Sequence, residues 1–505
     1  MKVNQLKAGA FLSYVSIILN NVVGLLYTPF MLRMMGQNEF GLYSIVASVV
    51  GYLTILDFGF ANAIIRYTAK YRAENKEREQ YEMFGMFIIL YCIIGVIAFI
   101  AGLFLYFNAD SMFNRTMTIA DLSKVRTMIL LMVFNVAFTF PMSIWGAIIT
   151  AYEEFVFQKI VNICRIILNP IIMVILLYMG YRAVAMVVLL TIFNVSTLLM
   201  NAWYCFFRIH VKVKFGKIRF GFLKEISTYS FWIFLEAIMN TIFWSTGQFV
   251  LGMYVGASTV AIYAVAIQLK NIYLSFSTAI SGVFLPKITS MVSKHTSDKE
   301  ISDLFIKTGR IQYVVMITIL AGFILFGRQF VRLWAGDNYD ESYFITLMFF
   351  IPLTVPLIQN LGISILQAKN QLKFRSVLYV SISVASLAIS IPLSIKYGGI
   401  GCAAGTTIAL VVGQIFIMNI YYYKKVYLDI PKFWREIFKM SIVPFILCVI
   451  GGIILHYYDI NSVARLSISI LIFLLVYTPL FWRFSMNEYE RALLLGPIKK
   501  VINKK

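Results

Sequence analysis

The stretch NNVVGLLYTPFMLRMMGQNEFGLYSIVASVVGYLTILDFGFANAIIR, residues 20–66, decides how this chain is read. Two apolar runs are joined by the short polar hairpin RMMGQNEFG. The second run carries an acid, Asp57, far inside hydrophobic sequence and ends on a base, Arg66. Runs of this length match the ~20 residues that an α-helix needs to cross ~30 Å of hydrocarbon.

The rest of the chain follows suit. Its 505 residues are 60% hydrophobic and only 13% charged, with a mean hydropathy of +0.81. Soluble domains carry about 25% charged residues, so the composition excludes a string of soluble domains. About fourteen apolar spans are expected from end to end, beginning near residue 8 and closing near residue 484. The five cysteines (Cys92, Cys164, Cys205, Cys402, Cys448) all fall in apolar runs without a CxxC pair, which argues against disulfides and a metal site. The N-terminus reads as a retained first helix rather than a signal peptide.

The formal net charge of +21 does not point to nucleic acid, because the bases are sorted by side. Connections on one face hold Arg66, Lys70, Arg72, Lys76 and Arg78, then Arg208 to Lys224, Lys287 to Arg310, Lys424 to Lys439 and the C-terminal tail. The opposite face has little beyond Arg33, Arg115, Lys124, Arg126, Arg182, Arg328, Arg332, Lys396 and Arg465. Basic loops stay cytoplasmic, so both termini are expected there, in a multi-pass protein with no soluble domain on either face.

Much of the opening pattern returns. Asn20, Gly36 and Tyr43 fall opposite Asn240, Gly256 and Tyr263 at one offset. Gly146, Lys159 and Tyr181 fall opposite Gly362, Arg375 and Tyr397 at another. Two six-span copies that enter the membrane in the same sense imply two pseudo-symmetric lobes with a binding site near mid-membrane. The expected organisation is an N-lobe at 1–208, a cytoplasmic connector at 209–228, a C-lobe at 229–423, and two extra helices with a basic tail at 424–505.

The RMMGQNEFGLYS hairpin, the LDFGFANAIIRYTAKY end of the second span, the two lobes and the appended helix pair resemble the polysaccharide-transport (Wzx-type O-antigen and capsule) flippases. These belong to the MOP exporter superfamily, together with the MATE exporters and the lipid II flippase. The resemblance implies an all-α, MATE-like bundle in a bacterial inner membrane. It implies translocation of undecaprenyl-diphosphate-linked oligosaccharide from cytoplasmic to periplasmic leaflet by alternating access, with H+ or Na+ as coupling ion and no other cofactor. A polysaccharide polymerase and chain-length machinery are the partners it implies.

Ionisable groups inside a span cost roughly 2.5–3.5 kcal/mol each on insertion scales and mark function by default. Lys270, Arg66 and Arg165 are the candidates for the diphosphate, since a cation in a low-dielectric wall attracts phosphate strongly. Asp57 and Glu236 are the ion-coupling candidates, because a carboxylate out of water gains by taking up a counter-ion. Asn20, Asn21, Asn240, Gln268 and Asn271 are polar groups that would face sugars in a cleft. Plainer roles stand beside these: a Glu236–Lys270 pair, an Arg165 that snorkels to the interface, an Asp57 that caps a helix or pairs with Arg66, and asparagines that only glue helices. Neither the three histidines, His210, His295 and His456, nor any Gly-rich phosphate loop offers catalytic or ATP chemistry. A MATE-like drug or cation antiporter and a membrane-embedded polysaccharide polymerase or ligase are the competing functions. The first would want an acidic cavity; the second usually carries a large external catalytic loop that is missing here.

Overall fold

The computed structural model describes residues 5–216, 220–281, 284–294, 296–369, 371–493 and 495. These residues are helical throughout, without a strand. The first half runs α1 (Gln5–Met35), α2 (Gln37–Gly51), a 3-10 turn (Tyr52–Asp57), α3 (Phe60–Ala73), α4 (Glu77–Phe113), α5 (Ile119–Ala151), α6 (Phe155–Tyr178), α7 (Ala183–Phe207) and α8 (Phe220–Tyr254). The second half runs α9 (Ala257–Ser281), α10 (Leu285–Ser293), α11 (Asp298–Ala335), α12 (Glu341–Ile358), α13 (Leu361–Ala368), α14 (Leu372–Leu410), a π segment (Val411–Ile417), α15 (Met418–Lys424), α16 (Ile430–Tyr457) and α17 (Val463–Phe484).

Twelve segments among the described residues are long and apolar enough to cross a membrane. One of them, Leu372–Lys424, spans 53 residues and is two helices joined at Gly398, whose φ of 60° and ψ of −136° break the helical path. Counting it as two and adding the 35-residue α8 brings the total to the expected fourteen. Several helices outrun their spans. α4 starts at Glu77, and α11 at Asp298 behind a Ser297 cap that accepts from the Glu300 amide. Their charged first turns complement the helix dipole and leave the hydrocarbon to the apolar residues that follow.

The chain divides into two compact units: Met1–Ala264 with Ser394–Gly398, and Val265–Leu393 with Gly399–Lys505. The sequence suggested a division at the 209–228 connector. The packing instead keeps α8 in the first unit, against α2, the 3-10 turn and α3.

Within the first unit the two repeat-related hairpins meet directly. Gly36 and Gly256 both adopt positive φ, 84° and 128°, and each carbonyl accepts the first hydrogen bond of the next helix, from Phe40 and Val260 respectively. A side chain is strained in that backbone region, which explains why glycine stands at both positions of the repeat. Five residues on, Gly41 of α2 lies against the start of α9: a Cβ placed there would stand 1.9 Å from the Ala257 carbonyl oxygen. The Gln37 amide donates to the Ser258 carbonyl beside it (3.3 Å).

The second unit is organised around α11, which packs on α12, α13, α16 and α17. Near its start Arg310 is buried, 5% exposed. Its guanidinium holds both oxygens of Glu490, the carboxylate of Glu436 (2.8 Å) and the Ser485 carbonyl (3.3 Å). Glu490 sits just past α17 in a reciprocal cap with Asn487, each side chain accepting from the other's amide. One arginine therefore fastens the segment after the last span to α11 and α16. Residues 496–505 of the basic tail lie outside the described residues.

Two stability outcomes follow from these contacts. Gly41→Ala should destabilise the protein by about 1–3 kcal/mol, because backbone at Ala257 has to move; a fall in melting temperature measured in detergent is the readout, and an unchanged value would contradict the close approach. Arg310→Ala should cost about 3–5 kcal/mol, since it leaves buried carboxylates without their cation. The double variant Arg310→Ala with Glu490→Ala should recover part of that loss.

Candidate functional site

The second span is not one helix. α2 ends at Gly51, the backbone tightens into the 3-10 turn Tyr52–Asp57, and both Phe58 (φ 51°) and Gly59 (φ 68°) are left-handed before α3 begins at Phe60. A left-handed conformation in a bulky residue such as phenylalanine costs roughly 1–3 kcal/mol and persists only when its surroundings enforce it. Here α8 does so. The Phe58 ring stacks on Phe234 at 4.4 Å between centroids, the Tyr52 ring meets Phe249 edge-on at 6.4 Å, and the Tyr52 hydroxyl bonds Thr246.

Asp57 is the last residue of the 3-10 turn. Its carboxylate faces the Gly59 amide and the Tyr91 hydroxyl of α4. That hydroxyl also neighbours Ser143 of α5. Tyr91 is fully buried. The arrangement is a carboxylate at the mouth of a helix N-terminus beside a buried hydroxyl. Discontinuous membrane helices of this kind place ligands and ions in transporters. Asp57 thus meets the backbone just ahead of α3 through the Gly59 amide, next to Tyr91 of α4.

The other candidates in the first unit are spread over several helices. Arg66 is exposed on α3, its guanidinium 5.9 Å from the Tyr67 ring centroid. Arg165 is half-buried on α6, Asn20 is exposed on α1 and Asn240 is exposed on α8. Asn21 donates to the Ile17 carbonyl one turn back at 3.0 Å, the arrangement of a satisfied helix asparagine. Glu236 belongs to α8, but its side chain lies outside the described residues.

Lys270, Gln268 and Asn271 belong to the second unit, on α9. Lys270 is 4% exposed, Gln268 is half-buried and Asn271 is exposed. One turn along α9, Tyr273 bonds Thr354 of α12 at 2.7 Å, and Ser277 donates to the Leu357 carbonyl at 2.7 Å. Those bonds brace α9 against α12 just before that helix breaks at Gln359–Asn360.

Two groups escaped reading from the sequence. Tyr91 and Ser143 looked like ordinary residues of apolar spans; only the fold brings them to Asp57. Asn135, Thr139 and Asn194 form a second polar knot between α5 and α7, with Asn194 donating at 2.6 and 2.7 Å. The one local signal for the break was Gly59 directly after Asp57 and Phe58, a glycine inside a helical pattern.

If Asp57 holds the break through the Gly59 amide, Asp57→Asn should keep the fold within about 1 kcal/mol, because its side-chain carbonyl still accepts. Asp57→Ala should lose at least the roughly 1 kcal/mol of a cap. Thermal unfolding of the two purified variants separates these outcomes; equal loss in both would remove the capping role.

Comparison with known proteins agrees with this architecture. Residues 6–292 match a family described as polysaccharide biosynthesis protein. A Shigella flexneri protein assigned as an O-antigen transporter is 22% identical over 397 residues, 78% of this chain and 92% of that protein. Among solved structures, the lipid II flippase MurJ in an inward closed conformation aligns over 97% of this chain and 99% of its own, with a TM-score of 0.72 at 16% identity. An inward-facing multidrug resistance MATE family transporter of the MOP superfamily aligns over 81% of this chain and 96% of its own, with a TM-score of 0.62 at 14% identity. These likenesses establish the MATE-like fold, and the match over more than half of its length makes this multi-pass membrane chain a member of the polysaccharide biosynthesis protein family.

Proposed function

We propose that the chain is a flippase for lipid-linked oligosaccharide, moving undecaprenyl-diphosphate-linked repeat units from the cytoplasmic to the periplasmic leaflet of a bacterial inner membrane by alternating access. The observation that carries this reading is the polysaccharide biosynthesis match over residues 6–292 on a chain whose fold follows a lipid II flippase almost end to end.

Lys270, Arg66 and Arg165 meet the diphosphate, Asn20, Asn21, Asn240, Gln268 and Asn271 meet the sugars, and Asp57 with Glu236 carries the coupling H+ or Na+. Lys270 supports the assignment of an anionic cargo, because a basic side chain buried in an apolar span suits an anion better than the cationic drugs of an antiporter. Asp57 supports the coupling role through its place at the break, where proton or sodium uptake alters the charge facing the α3 N-terminus and the Tyr91 hydroxyl. A two-state element biased by one ion is what alternating access requires.

In a deletion strain, lipid-linked repeat units should accumulate on the cytoplasmic leaflet. Lys270→Ala and Asp57→Ala should fail to restore export while reaching the membrane at normal levels. Full complementation by either variant would strike that residue from the mechanism, and unimpaired export in the deletion strain would sink the proposed function itself.

A further inference from the structure

The first unit contains a cavity of about 660 Å³ that the proposed transport path does not use. α6 and α7 wall it with Ile172, Leu176, Val188 and Ile192, and three charged residues, Glu39, Lys124 and Arg182, stand at one end. The volume falls within the roughly 300–1,000 Å³ of sites that take small ligands. Val188 and Ile192 are 37% and 56% exposed, so the cavity opens on an apolar outer face of α7.

The charged end is built rather than incidental. Glu39 accepts from Lys124 and from the Ala183 amide at the start of α7 (3.3 Å), which spends its charge on the helix N-terminus and one ammonium. Arg182 then stands exposed, and its guanidinium has no ion-pair partner among the described residues. It lies in the short connection between two membrane-spanning helices, so it sits at headgroup level whichever face that is. Tyr181 beside it is 52% exposed, the aromatic expected in that layer.

An apolar slot open sideways to hydrocarbon, with one uncompensated guanidinium at headgroup height, fits an amphiphile with an anionic head. We propose that this cavity is a lateral binding site for an anionic phospholipid of the bilayer, one acyl chain lying between α6 and α7 and the phosphodiester set against Arg182. A basic pocket between membrane helices selects such headgroups, and the planar guanidinium bonds two phosphate oxygens at once. The bound lipid would fill the slot and tie α6 to α7 by non-covalent contact alone.

The test is native mass spectrometry of the full-length protein released from detergent, with phosphatidylglycerol, phosphatidylcholine or undecaprenyl phosphate added in turn. Wild type should retain one phosphatidylglycerol in preference to phosphatidylcholine. Arg182→Gln should weaken that retention roughly tenfold, the scale of one charge-assisted contact, and Val188→Trp, which fills the slot from its lipid side, should abolish it. Val188→Trp that elutes and melts like wild type but still keeps the lipid would overturn the site. Equal retention of the two phospholipids would overturn the role of Arg182. Retention of undecaprenyl phosphate instead, lost in Val188→Trp, would hand the cavity to the carrier lipid and overturn the phospholipid assignment.

Discussion

A carboxylate within a membrane span has to be held by protein, and Asp57 is held by a helix that stops for it. The backbone between Gly51 and Phe60 forgoes regular α-helix, which hydrocarbon would not allow unless neighbouring helices enclosed the irregular stretch. The enclosure comes from α4 and α5, through Tyr91 and Ser143, and from α8, through Phe234, Thr246 and Phe249. This explains why the first helix of the second repeat packs with the first unit: it clamps the break that the acid needs.

The repeat gives the same hairpin two positions in one unit. Positive φ at Gly36 and Gly256 sets equivalent turns, and the side-chain-free surface of Gly41 lets α2 reach the backbone at Ala257. A glycine chosen for its backbone conformation and a glycine chosen for closeness thus serve one joint. The second unit follows a different logic. Proline-bearing α12 halts at Gln359, α9 braces it through Tyr273 and Ser277, and Arg310 gathers the chain's end onto α11 and α16.

How much of this was legible in the residues depends on how far apart the partners lie. Membrane class, span count and the turn glycines are local or periodic properties, so hydropathy and a constant offset reveal them. Lys270 stood out because one charge in an apolar run is visible; in the structure it is 4% exposed. The break at 52–59 was hidden because YLTILDF reads as continuous apolar helix, and the forces that bend it come from Tyr91 and Phe234, distant in sequence. Arg310 read as one more basic residue of a cytoplasmic loop, since its partner Glu490 comes 180 residues later. Arg66, Asn20 and Asn240 illustrate the opposite difficulty: periodicity places them on a helix but does not say which face meets neighbours, and all three are exposed.

As proposed, this membrane bundle carries a lipid-linked sugar across the bilayer under the control of the acid in its broken second span. Reconstitution into liposomes measures it most directly, with fluorescent polyprenyl-diphosphate oligosaccharide placed in one leaflet and its appearance in the other followed over time. Wild-type protein should transfer the lipid well above protein-free vesicles, and Asp57→Asn should fold normally yet transfer it no faster than empty vesicles. Transfer by the Asp57→Asn protein at the wild-type rate would rule out control by this acid, and none by the wild type under any ion gradient would rule out the transport itself.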